Sequence, residues 1–136
     1  MTEKVPKKLV VPCSGIGKVH GLLGREAMLE LVERQHPGDF DTVCLALLVV
    51  GDPETNAKIQ QQPCITVDGC PKACAKKNVE LAGGTVEHAL WVVGALKRHR
   101  GVNAGTGTAL SDDGWEIAAE IAGDIAAGCP DAGKKE

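Results

Sequence analysis

The sequence predicts an α/β fold: a small, largely parallel sheet of about four strands with helices on both faces. Three observations carry that expectation. Short aliphatic runs recur along the chain, as expected of strands buried on both sides. Other stretches carry apolar residues at helical spacing. The two kinds alternate, which is the pattern of βαβ units. A chain of 136 residues has the length of one domain and can bury a core without a staple. Its only aromatic residues are Phe40, Trp91 and Trp115, so that core has to be aliphatic.

Residues 8–12 (Lys-Leu-Val-Val-Pro) read as a strand, stopped by Pro12 and the turn Cys13-Ser14-Gly15. Residues 21–35 read as a helix with Leu23, Ala27 and Leu31 on one stripe, broken by His36-Pro37-Gly38. Residues 42–50 form an apolar run, read as a buried strand leading into a short helix and punctuated by Gly51-Asp52-Pro53. Residues 64–67 give a third strand. Residues 71–82 follow as a helix, with Cys70 as its cap, Pro71 in the first turn and Gly83-Gly84 at its end. Residues 85–93 alternate as a fourth strand, and 101–108 form a Gly-rich loop. The last helix spans 113–127: Asp113 and Glu116 make a capping pair, Ile117, Ile121 and Ile125 make the stripe, and Gly128 and Pro130 stop it.

Composition excludes several classes of function. At 43% hydrophobic and 24% charged residues the chain is globular rather than disordered. A net charge of -3 leaves no footprint for a phosphate backbone, so no nucleic acid is expected as a partner. The basic cluster Lys97-Arg98-His99-Arg100 lacks interleaved aromatics and reads as the solvated end of an element. No apolar run is long enough for a secretory signal or a membrane span, so no membrane partner is expected and the location is read as cytoplasmic. A protein partner is left open. Thiols stay reduced in that compartment, so six cysteines point to metal binding or thiol chemistry rather than disulfides.

Cys13, Cys44 and Cys70 all fall late in strand-like runs or just past them. Open α/β sheets bind ligands outside the carboxyl ends of their strands, so the fold gathers these three at one edge. Cys74 lies one helical turn after Cys70. Four thiolates can then surround one ion, and zinc takes such a set tetrahedrally. The helix start and Lys72, Lys76 and Lys77 supply positive potential there.

The motif Asp68-Gly69-Cys70-Pro71-Lys72-Ala73-Cys74, with Pro12-Cys13-Ser14-Gly15 and Cys44-Leu45-Ala46 upstream, resembles the DGC-domain family. That family is named for its Asp-Gly-Cys and is credited with zinc binding through four chelating cysteines. Carried over residue by residue, the resemblance implies Cys13, Cys44, Cys70 and Cys74 as ligands. It covers most of a single DGC-like metal-binding domain at residues 8–129, flanked by flexible termini at 1–7 and 130–136. The sequence departs from the family's pattern after Cys44, where Leu45-Ala46-Leu47-Leu48 replaces a small, Gly-rich continuation.

The other signals are weaker. Cys64 opens a buried strand and reads as core, and Cys129 reads as an exposed free thiol. His20, close in sequence to Cys13, is a minor candidate for a hydrogen-bond donor to the thiolates, or for a fourth ligand in place of Cys44. His88 and His99 have no Cys or carboxylate placed beside them by the sequence. Gly15-x-Gly17-x-x-x-Gly21 misses the dinucleotide spacing. No Ser-His-Asp or paired-carboxylate arrangement stands out, so the reading leans away from an enzyme. The expected function is zinc binding of unassigned role. The alternatives are a thiol-based redox or sulfur-transfer protein, or an iron–sulfur protein using the same cysteines.

Overall fold

In the computed structural model, which describes residues 7–13, 18–36, 38–69 and 73–128, strand β1 (Lys8–Pro12) lies inside a four-stranded sheet. Its neighbours are β2 (Phe40–Thr42) on one side and β3 (Cys64–Asp68) on the other, with β4 (Val86–Trp91) beyond β3. The order is β2-β1-β3-β4 and every pairing is parallel. The α/β class read from the sequence is therefore the fold observed.

Both faces of the sheet are covered. Successive side chains of a strand point to opposite faces. Accordingly Val10 joins one core, and Leu9 and Val11 join the other. The first core contains residues of α1 (Val19–Leu29), α5 (Val92–Lys97) and α6 (Asp112–Gly128). The second contains residues of α2 (Leu45–Val49), α3 (Pro53–Gln61) and α4 (Cys74–Leu81). All five residues of β3 are buried. The buried apolar residues are Leu, Val, Ile, Ala, Met and Cys, an aliphatic core as expected.

Several elements differ from the sequence reading. The first helix begins at Val19, and its last part is a π-helical turn, Glu30–Gln35, closed by the His36 N–H donating to the Leu31 carbonyl at 2.9 Å. The run 42–50 is mostly helix: β2 ends at Thr42 and α2 begins at Leu45. Helix α3 was not anticipated. Asp52 caps it by accepting from the Thr55 N–H at 3.0 Å, and Pro53 occupies its first turn. The run 85–93 divides into β4 and the start of α5 at Val92. Helix α6 is capped by Ser111, whose Oγ accepts from the Gly114 N–H at 3.0 Å, not by Asp113.

The direction of the chain sets the site. From β1 it goes to β2 on one side, then crosses to β3 on the other, so the strand order reverses between β1 and β3. The crevice outside the carboxyl ends at such a reversal is where open α/β sheets place ligands.

Candidate functional site

Cys13 follows β1 directly. Its N–H donates to the Val67 carbonyl at 2.9 Å, which extends the β1–β3 ladder past Pro12. Its Sγ accepts from the Gly69 N–H at 3.2 Å, across the reversal point. Gly69 sits in close quarters: a Cβ there would lie 3.1 Å from the His20 carbonyl carbon and 3.2 Å from the Gly21 nitrogen. The first turn of α1, with His20, thus presses on the Asp68-Gly69 turn.

Cys44 lies just past β2, in extended conformation at the N-cap of α2, with its side chain exposed. Cys13 and Cys44 line one cavity of about 380 Å³. Thr42, Val43 and Leu45 also line it, and α1 contributes Arg25 and Met28.

Asp68 ends β3 and is 1% exposed. Its Oδ1 accepts from the Ala75 N–H at 2.7 Å and its Oδ2 from the Lys76 N–H at 3.2 Å. Burial raises its carboxyl pKa, the two amides and the Lys76 charge oppose the rise, and the net shift is upward. The carboxylate of the Asp-Gly-Cys motif therefore caps α4 from several residues upstream, a role that the sequence reading gave to Cys70. Between them Ala73 takes φ 55°, a left-handed conformation that costs a non-glycine residue about 1–2 kcal/mol. It turns the chain so that Cys74 opens α4, where its side chain is exposed.

Cys70, Pro71 and Cys129 lie outside the described residues. Among the described residues no three His, Cys, Asp or Glu side chains stand close enough to hold a metal ion. The structure brings Cys13 and Cys44 to one cavity, puts Gly69 against the Cys13 sulfur, and leaves Cys74 exposed at the start of α4.

Cys64 is elsewhere. It opens β3 at the amino end, pairs with Leu9 and is fully buried. Its Sγ approaches the Gln62 carbonyl at 3.5 Å, and burial pushes its thiol up to about 11. His99 has a carboxylate partner that sequence spacing did not reveal: its Nε2 lies 2.7 Å from Glu120 Oε1. Arg98 of the same basic cluster bonds Glu120 and Asp124, so this cluster ties α5 to α6. Arg25 and Met28 were not foreseen at the site, because nothing in the sequence places the side of α1 against the ends of β1 and β2.

These features define a class: a parallel α/β protein with cysteine thiols gathered at the carboxyl edge of its sheet. The chain matches the DGC domain over residues 9–120, and it belongs to that family. No curated protein and no solved structure matches it. No helix among the described residues is long and apolar enough to cross a membrane.

Proposed function

We propose that the chain binds one zinc ion through the thiolates of Cys13, Cys44, Cys70 and Cys74, in a reducing compartment such as the cytoplasm. The observation that supports this best is the shared cavity of Cys13 and Cys44, which come from separate strands. The donor chemistry fits a soft-ligand ion, since the Cys13 sulfur already acts as an acceptor for an amide N–H. The Asp68-Gly69 turn that leads to Cys70 lies against that same sulfur. Bound to thiolates, zinc supplies Lewis acidity without redox activity. The chain's own part is to hold the thiolates at the sheet edge and to fix the turn through Asp68.

Metal analysis of protein purified anaerobically without a metal-affinity tag tests the reading. About one zinc per chain is expected. Absence of zinc, or two or more irons per chain, would overturn it. Cys70→Ser and Cys74→Ser should abolish binding, whereas Cys64→Ser and Cys129→Ser should retain it. The paired thiols of one cavity also suit a thiol-based redox protein. That reading predicts a metal-free isolate whose cysteines form a labile disulfide.

A further inference from the structure

Among the described residues, the cavity that holds Cys13 and Cys44 has one charged lining residue, Arg25 of α1, and no carboxylate. Arg34 and Arg98 bond to Glu30, and to Glu120 and Asp124, respectively. Arg25 has no side-chain ion pair or hydrogen bond among the described residues. Met28, Val43 and Leu45 give the cavity apolar walls. The Thr42 hydroxyl is committed, since it donates to the Val10 carbonyl at 2.7 Å. At about 380 Å³ the space lies in the range of small-molecule sites.

We propose that this cavity binds a small organic carboxylate, with Arg25 holding the carboxylate and the apolar walls holding its carbon chain beside Cys13 and Cys44. A guanidinium presents paired N–H donors that match both oxygens of a carboxylate. Among the described residues no acidic side chain competes for it in the cavity. The apolar walls select an organic anion over an inorganic one, because inorganic phosphate would leave them wet. The thiols lie where the bound molecule would cover them, so occupancy and access to the cysteines are coupled. This proposal goes beyond metal binding and does not depend on it.

The test is a nuclear magnetic resonance titration of the reduced full-length protein, with zinc content measured on the same sample. The probes are sodium butanoate, its neutral isostere butanamide, and inorganic phosphate. Butanoate should give saturable shifts at the amides of Arg25, Val43 and Cys44, with butanamide roughly fivefold weaker or more. Arg25→Gln should erase the preference for butanoate, and Arg25→Lys should keep part of it, because the charge remains without the fork. Arg25 is exposed, and the dispersion of the variants' spectra reports their folding directly. Equal binding of butanoate and butanamide, or no shifts from either, overturns the proposal. Phosphate binding as tightly as butanoate overturns the organic specificity. A zinc-free sample that still prefers butanoate would separate this site from the metal reading.

Discussion

Asp68 serves two opposed demands. It is almost wholly buried, which disfavours a carboxylate, yet it accepts two amides that favour one. Burial wins and the carboxyl pKa is raised. A group whose folded pKa exceeds its unfolded value adds stability below the unfolded pKa, and that contribution is lost as pH rises through the folded pKa. Asp68→Asn removes the titration while keeping an acceptor oxygen. Thermal melts should therefore show wild type gaining on Asp68→Asn as pH falls from neutral towards 4, the region of the ordinary value 3.8. If the Tm of wild type minus that of Asp68→Asn stays flat or falls as pH is lowered, the buried-carboxylate account is contradicted. Asp68→Ala leaves both amides without the cap and should cost about 1–2 kcal/mol at neutral pH. This role was not legible in the sequence. A cap ordinarily serves amides two or three positions on, whereas Asp68 reaches Ala75 and Lys76 past a left-handed residue.

At the scale of elements, two glycines make opposite predictions. A Cβ on Gly84, between α4 and β4, would lie 2.5 Å from Ile59 Cγ2 and 2.8 Å from Val79 Cγ1. Both neighbours are fully buried and cannot yield. Gly84→Ala should destabilise by about 1–3 kcal/mol in urea unfolding. Gly24, inside α1, faces Val67 and Val92, and a Cβ there would meet nothing nearer than 3.5 Å. Gly24→Ala should stabilise by about 0.5–1 kcal/mol, because glycine is a poor helix former. The long amphipathic helices and the strands at 8–12 and 64–67 were legible because their periods persist over the whole element. Helix α2 was legible only as a short helix of unplaced start, and α5 was hidden, because the apolar runs Leu45-Ala46-Leu47-Leu48 and Val92-Val93 read equally as strand. Helix α3 was hidden differently. Its Asp52-Pro53 start was visible but resembled a turn, and its polar body offers only Thr55 and Ile59 to the interior.

For the molecule as a whole, two aliphatic cores clasp the sheet, and the cysteine edge adds only Cys13 at the margin of the second. The reduced, chelated protein should therefore keep its helical circular dichroism and a cooperative melt, with Tm lowered only by the linkage to metal binding. Loss of the helical signal on chelation would show that the ion is a staple, as in zinc fingers. The class of fold was legible because alternating strand and helix patterns admit few topologies. The strand order was not, since no residue pattern says that β3 pairs with β1 rather than with β2. That order has a consequence for how the site comes into being. Cys13 and Gly69 lie 56 residues apart and meet only through a parallel pairing, with α1, β2, α2 and α3 intervening. Contacts of such long sequence separation form late and slowly. Until β3 has been made and has paired with β1, Cys13 therefore stands apart from the Asp68-Gly69 turn. Cys13 and that turn become neighbours only when β1 and β3 have paired, so the carboxyl edge takes shape with the sheet and not before it.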